Sequence, residues 1–341
     1  MPNSDRPQRT PATKPPHDKT SVKGRLAPSP TGAQHPGNAR TYLVAHWSMI
    51  RQSAPMVLRI EDIDSPRVKP WAIQQAIDDL RWLGIEWDEG PDVGGPSGPY
   101  IQTQRTDRYD QAIAKLRSLG RVYPCTCTRR DIESAASAPH AEFGHMVYPG
   151  LCSDWTEGDP IPAEGTYCWR FRVRDQVVHF DDAVAGSQSL NPRRDLGDVP
   201  VTRKTGEAAY QLAVILDDDA MGVTEVVRGD DLIDSTFWQI ELADALGLSV
   251  PSYAHVPLVI GDDGRRLAKR HGDTRLDHLR RCGVDPQDVI LWAAGSLGIG
   301  DLPTAGEWET DRLHRHIAAQ MDWTTVNRDR VVVPSKWTRL G

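Results

Sequence analysis

The sequence predicts an α/β protein: a mainly parallel sheet with flanking helices, interrupted by an inserted α+β segment and followed by a small helical region. Three features support that prediction. Residues 24–40 read as a short strand, a Pro/Gly turn and the start of an amphipathic helix. Residues 56–60, 209–217 and 223–230 are apolar runs, the mark of strands buried on both faces of a parallel sheet. Between them, residues 121–201 pass from a loop-rich, cysteine-bearing stretch to strand-like runs at 167–173 and 177–180.

At 341 residues, with 39% hydrophobic and 26% charged side chains, the chain can bury a sizeable core divided among two or three domains. No apolar run approaches the ~20 residues of a membrane span and no signal-peptide core is present, so a cytoplasmic protein is expected. The net charge of −7 argues against a broadly basic nucleic-acid binder, so an RNA contact needs a locally basic face. Five cysteines, two of them in Cys125-Thr126-Cys127, suit reduced thiols or a metal site better than a disulfide framework.

Taken in order, residues 1–22 are rich in Pro, Ser, Thr and charge and are expected to form a disordered tail. The stretch after them makes an anion site, with free N–H groups of a first helical turn, the helix dipole and His35 facing one point. Its spacing matches neither a P-loop nor a dinucleotide fingerprint. The run at 56–60 delivers Glu61 just past a strand's C-terminal end, where open α/β sheets bind ligands and a carboxylate can meet an ammonium. A solvated acidic loop is the plainer alternative. Apolar residues at helical spacing over 73–83 and 109–119, stopped by Gly84 and Gly120, read as packing.

Cys125, Cys127 and Cys152, with Tyr148, His140 or His145 nearby, offer a tetrahedral zinc shell, against free buried thiols as the alternative. Cys168 and Cys282 have no neighbour in sequence and read as structural. Arg170, Arg172, Arg174, Arg193, Arg194 and Arg203 supply either a basic RNA-facing surface or solvated strand faces. Arg228 ends its strand at the same edge as Glu61, where it suits a carboxylate ligand or a salt bridge to Asp230 or Asp231. Ser235 is expected to cap a helix running to Leu246, with Gly247 after it. Asp263-Gly264 signals a tight turn before a basic cluster in which Lys269, if placed near the opening helix N-terminus, could hold the outer phosphates of ATP, with a solvated basic loop as the plainer alternative.

The ordered set Arg25-Leu-Ala-Pro-Ser-Pro-Thr-Gly32, His35-Pro-Gly-Asn38, Arg59-Ile-Glu-Asp-Ile-Asp64, Cys125-Thr-Cys127, Tyr148 with Cys152, Tyr210-Gln-Leu-Ala-Val214, Val227-Arg-Gly-Asp230 and Arg266-Leu-Ala-Lys-Arg270 resembles the glutamyl branch of class I aminoacyl-tRNA synthetases. His35 to Asn38 stand in the HIGH position and the last segment in the KMSKS position. The resemblance covers roughly residues 23–280. It implies a Rossmann-like catalytic domain in two halves, 23–120 and 202–270, around an inserted zinc-containing subdomain at 121–201. A helical C-terminal region at 271–341 would follow, with no anticodon-binding domain.

By the same resemblance, Arg25, Leu26, Ala27, Pro28, Ser29, Glu61, Tyr210 and Arg228 would line a glutamate pocket, Glu61 meeting the α-ammonium and Arg228 the side-chain carboxylate. His35, Gly37, Asn38 and Lys269 would bind ATP, and His35, Asn38 and Lys269 would stabilise charge on its phosphates. Cys125, Cys127, Tyr148 and Cys152 would hold a structural Zn2+, with His145 as a competitor of Tyr148 because the interval from Cys127 is long. Mg2+ would enter with ATP. The Tyr-x-x-x-Cys arrangement and the short stretch after the KMSKS-like loop point to the glutamyl-Q branch. Its members activate L-glutamate without tRNA and esterify it to queuosine in tRNA(Asp); a monomer is expected. A truncated glutamyl-tRNA synthetase and a non-catalytic zinc-stapled RNA-binding module are the alternatives. Pro36, Arg266 and Ala268 depart from the signatures, and slower adenylate formation is expected from the loss of the serine hydroxyl at 268.

Overall fold

The computed structural model describes residues 21–30, 34–63, 68–135, 147–265, 267 and 273–340. Residues 1–20 of the expected tail, His140, His145, Arg266, Ala268 and Lys269 lie outside that range. From the N-terminus, β1 (Gly24–Leu26), α1 (Pro36–Gln52) and β2 (Met56–Leu58) form a right-sized crossover between parallel strands, with Arg25 opposite Val57. Next come α2 (Pro70–Trp82), α3 (Thr106–Ser118), β3 (Val122–Cys125), α4 (Arg129–Ala135), β4 (Cys168–Phe171), β5 (Val178–Asp182), β6 (Gly186–Leu190), α5 (Pro192–Asp195) and β7 (Val199–Pro200). The chain continues through α6 (Tyr210–Met221), β8 (Glu225–Gly229), α7 (Ile233–Leu246), β9 (Ser252–Val256) and β10 (Val259–Ile260). It closes with α8 (Leu276–Arg281), α9 (Pro286–Gly295), α10 (Thr310–Gln320), β11 (Val331–Val332) and α11 (Ser335–Thr338).

The strands β6-β5-β9-β8 form one sheet in which β5, β9 and β8 are parallel. Strand β1 runs beside β8, with Thr224 N and Glu225 N donating to Lys23 O at 2.9 and 3.2 Å. The order is therefore β2, β1, β8, β9, β5, and consecutive strands part company between β1 and β8. That is the switch point at which open parallel sheets form a ligand crevice. Strands β3, β4 and β7 make a separate antiparallel sheet. Strands β5 and β6, although they fall within residues 121–201, belong to the larger sheet.

Helix α1 is packed on nearly every side. Leu43, Val44 and Trp47 are fully buried in the largest core cluster, which also takes in Leu313, Ile317 and Trp337 of the C-terminal helices. Arg40 is buried in this helix too, donating to Ser296 Oγ at 2.7 Å and Pro257 O at 2.9 Å, and burial lowers its pKa to about 10. His314 receives the Trp47 indole N–H on Nδ1 at 2.8 Å and faces Leu83 O through Nε2 at 2.9 Å. Among the described residues no helix is long and apolar enough to cross a membrane.

Two expectations about elements need correction. Residues 209–217 are not a strand: α6 starts at Tyr210, and Leu212 to Asp218 are all buried. A continuous apolar run is equally what a helix buried on all sides presents, and the twelve-residue length, closed by Gly222 at φ 69°, decides for the helix. Helix α7 ends at Leu246 with Gly247 as expected, but its N-cap residue is Leu232 rather than Ser235, whose hydroxyl instead accepts from Gln211. Strand β9 ends before Pro257, and two residues separate it from β10.

Most of the inserted segment's arginines are tied to other groups of the chain, while Arg174, Arg193 and Arg194 keep exposed side chains. Arg170 is buried, Arg172 donates to Ser153 O and Trp155 O, Arg174 pairs with Glu241 and Asp244, Arg193 with Asp198 and Arg194 with Asp175. Arg174 is thus matched by acids distant in the chain, and Arg193 by one close by.

Candidate active site

A cavity of about 320 Å³ opens at the switch point between β1 and β8. Arg25, Ala27 and Ser29 enter it from the end of β1, Glu61 from beyond β2, Tyr210 from the first turn of α6 and Arg228 from β8. His35, Gly37, Asn38, Thr41 and Tyr42 line it from the start of α1, and Leu258 and Val259 from the step into β10. Leu26 and Pro28 do not line it. Alternation along the strand turns Leu26 into the core, where it is fully buried, and Pro28 contributes its carbonyl, which accepts from Glu61 N at 3.0 Å.

Glu61 is held from behind. Its Oε1 accepts from Arg59 Nη2 at 2.8 Å, and Arg59 Nη1 donates to Asp218 Oδ1 at 2.7 Å. Asp217, one residue back on α6, accepts from Arg105 Nε at 2.6 Å, from Gln102 at 2.9 Å and from Tyr109 at 2.9 Å. Arg25 Nη1 donates to Val227 O at 3.1 Å, and Arg25 Nε lies 3.5 Å from Asp218 Oδ1. Arg25, Arg59 and Arg105 thus offset Glu61, Asp217 and Asp218 in a buried network, which fixes carboxylate and guanidinium positions because no member can swing out without stranding a charge. Burial raises the Glu61 carboxyl above its ordinary range, opposed by Arg59 and Arg25. Burial also raises the Tyr210 phenol.

Arg228 is not paired with Asp230 or Asp231. Its Nε donates to His255 Nε2 at 3.0 Å and its Nη2 to Thr236 Oγ1 at 2.7 Å, while Asp230 Oδ1 accepts from Leu258 N. The cavity therefore presents a carboxylate, a phenol and arginines together, a set suited to a zwitterion with a second acidic group.

The helix start differs from the expectation of free N–H groups. His35 is the N-cap, its Nδ1 accepting from Gly37 N at 3.1 Å and Asn38 N at 3.4 Å, while Asn38 Oδ1 accepts from His35 N at 3.3 Å. Pro36 occupies the first helical position, where its missing N–H costs nothing. With Nδ1 used as acceptor, a neutral ring has its proton on Nε2. An anion at this wall would meet side-chain donors, the His35 Nε2–H and the Asn38 amide, rather than the backbone.

Lys269 falls outside the described residues, but the chain on either side does not. Gly261 N donates to Arg265 O at 2.8 Å around the expected Asp263-Gly264 turn, directly after β10, and Leu276 N donates to Gln34 O at 2.8 Å. Leu276, after the basic loop, is thus tied to the residue before His35, and Val259, ahead of the loop, lines the same cavity as His35.

In the inserted segment the Sγ atoms of Cys125, Cys127 and Cys152 lie within 4.8 Å of one another. The Tyr148 hydroxyl is 3.4 Å from Cys125 Sγ and 3.8 Å from Cys127 Sγ, and Cys127 and Cys152 are 3.5 Å apart. Tetrahedral zinc–thiolate bonds of ~2.3 Å place ligands roughly 3.8 Å apart, so this donor set fits one such ion. Cys168, read as isolated, stands opposite Cys125 across β3 and β4, and its hydrogen bond pulls the Cys125 thiol down in pKa. Strand pairing between residues 43 apart in the chain could not be seen from spacing alone. The Arg170 guanidinium stacks 3.8 Å from the centre of the Tyr148 ring.

A parallel sheet whose strand ends gather this amino-acid-shaped set beside a His-capped helix defines the catalytic domain of a class I tRNA synthetase. Consistent with that, a family model described as "tRNA synthetases class I (E and Q), catalytic domain" matches residues 21–301. The chain is similar to a protein of Rhodopirellula baltica named glutamyl-Q tRNA(Asp) synthetase, 53% identical over 327 residues that cover 92% of this chain and 97% of that one. A protein of the same name from Symbiobacterium thermophilum is 48% identical, over 82% of this chain and 88% of its own. Among solved structures, a glutamate tRNA ligase from Elizabethkingia meningosepticum in complex with its amino acid aligns with a TM-score of 0.76 at 26% identity, covering 93% of this chain and 68% of that one. The chain belongs to the class I E and Q tRNA synthetases and, within them, to the glutamyl-Q tRNA(Asp) synthetase family.

Sequence reasoning named the cavity-lining residues that belong to motifs and missed those that support them. Asp217 and Asp218 were visible only as the end of an apolar run, and Asp182 and His255 had no local signal at all. Thr41 and Tyr42 follow the capped helix start at positions a helical projection would place on the same side.

Proposed function

We propose that the protein activates L-glutamate with ATP, in the absence of tRNA, to glutamyl adenylate, and transfers the glutamate to the cyclopentene diol of queuosine in the anticodon of tRNA(Asp). The observation behind this reading is the joint lining of one cavity by Glu61, Tyr210, Arg25 and Arg228 next to His35 and Asn38. Glu61 would take the α-ammonium and Arg228 the side-chain carboxylate. That leaves the α-carboxylate to face the nucleotide.

In the first step a carboxylate oxygen attacks the α-phosphorus of Mg-ATP, a new P–O bond forms, and the bond to the bridging oxygen breaks to release pyrophosphate. No protein nucleophile is needed. The protein contributes position and electrostatics: donors from His35, Asn38 and Lys269 offset charge on the phosphates, and the buried Arg59–Asp218 pair keeps Glu61 aligned. In the second step a queuosine hydroxyl attacks the mixed anhydride and AMP leaves. Cys125, Cys127, Cys152 and Tyr148 would hold Zn2+, which would fasten the loop-rich insertion and takes no part in either step.

Incubation with ATP, labelled glutamate and either queuosine-containing or unmodified tRNA(Asp) tests the reading. Label is expected only on the modified tRNA, at the anticodon. Label mapped to a tRNA 3′ end would instead identify a glutamyl-tRNA synthetase activity, and absence of glutamate-dependent ATP–pyrophosphate exchange would leave a binding module.

A further inference from the structure

Arg228 is steered by a buried relay that crosses three neighbouring strands. His255 on β9 is its direct register partner, and Asp182 on β5 lies on the far side of His255. The His255 Nε2 accepts from Arg228 Nε at 3.0 Å, so that nitrogen is bare and the ring proton sits on Nδ1, 2.5 Å from Asp182 Oδ2. Asp182 is itself locked: Oδ1 accepts from Val184 N at 2.9 Å and Ala185 N at 2.7 Å, and both oxygens lie 3.1 Å from His255 N. The Asp182 and His255 side chains are completely buried. Among the described residues no carboxylate forms an ion pair with Arg228, and its Nη1 has no hydrogen-bond partner.

We propose that Asp182 and His255 are positioning residues: they orient Arg228 toward the substrate's side-chain carboxylate while keeping the Asp182 carboxylate one imidazole away from it. The proposal rests on the reading of Arg228 as the side-chain contact. A carboxylate touching the guanidinium directly would take it in a bidentate grip and compete with the ligand. A neutral imidazole uses only the Nε edge. Thr236 Oγ1 and Leu232 O hold Nη2, Nη1 is left for the cavity that Arg228 lines, and the charge stays available to a substrate carboxylate, which favours an acid over its amide. Fixing the acceptor rather than the guanidinium itself also removes rotamer freedom before substrate arrives.

Glutamate-dependent ATP–pyrophosphate exchange, with KM for glutamate and for ATP measured separately, tests this. His255→Leu deletes the acceptor and is expected to raise the glutamate KM about tenfold or more with the ATP KM unchanged. His255→Gln, which restores an acceptor oxygen, is expected to recover most of the loss. Asp182→Asn lets the ring adopt the other tautomer and point an N–H at the Arg228 N–H, so it is expected to raise the glutamate KM selectively. It also decides the matter if His255→Leu does not fold. A wild-type glutamate KM in Asp182→Asn, or a parallel rise in both KM values, overturns the relay as a positioning device. Wild-type protein without glutamate-dependent exchange overturns the reading of Arg228 beneath it.

Discussion

Replacing Gly37 by alanine separates what His35 does for the fold from what it does for the reaction. A Cβ built at Gly37 stands 2.9 Å from His35 Cε1 and 3.0 Å from His35 Nδ1, closer than side chains pack, with Val259 Cβ at 3.4 Å on the other side. The imidazole has to move, and moving it breaks the cap that Gly37 N and Asn38 N make with Nδ1. Loss of an N-cap costs about 1 kcal/mol, and Gly→Ala near a helix start returns up to about 1 kcal/mol. The two offset one another, so urea unfolding is expected to change by less than about 1 kcal/mol. Activity has no such offset. Displacing a phosphate-facing group by about 1 Å costs on the order of a hundredfold, so pyrophosphate exchange at saturating glutamate is expected to fall by that factor. His35→Asn makes the complementary variant, since asparagine caps at least as well but lacks the ring: full stability with depressed exchange is expected. Exchange within about threefold of wild type in Gly37→Ala would refute the assignment of His35 to the nucleotide.

Glu61→Gln keeps a partner for Arg59 and loses the charge, so the glutamate KM is expected to rise roughly tenfold to a hundredfold with the ATP KM unchanged. Because burial raises the Glu61 pKa, acidification protonates it earlier than an exposed glutamate, and the wild-type glutamate KM should climb as pH falls, a limb missing from the Gln variant. His46, buried beside His314, has its pKa lowered to about 3. The unfolded chain binds that proton near pH 6.5 and the folded protein does not, so stability is full above that pH. It should fall by about 1.4 kcal/mol per pH unit on acidification toward 3, a slope that unfolding titrations of wild type and His46→Leu can separate. Chelation, or Cys127→Ser, is expected to remove one equivalent of zinc and lower the melting temperature by roughly 5 °C or more, read by metal analysis and calorimetry.

The sequence alone determined the parts whose signals are local. Pro36 after His35 announced a helix start, Gly120 and Gly247 marked helix ends, Asp263-Gly264 marked a turn, and Glu61 and Arg228 sat where strands had to stop. Each depends on backbone preferences within a few residues, so each was legible before any contact was known. Tertiary structure decided whatever depended on partners far away in the chain. Residues 209–217 became a helix because packing on all sides satisfies an apolar run in either conformation. Arg174 of the insertion found its partner only when Glu241 met it, and Cys168 acquired Cys125 only through strand pairing. Arg228 owes its aim to Asp182 and His255, residues 46 and 27 positions away. Spacing along a chain encodes rotation about its own axis; which buried charge meets which is fixed only when separate strands come into register, because burial makes an unmatched charge too costly to leave.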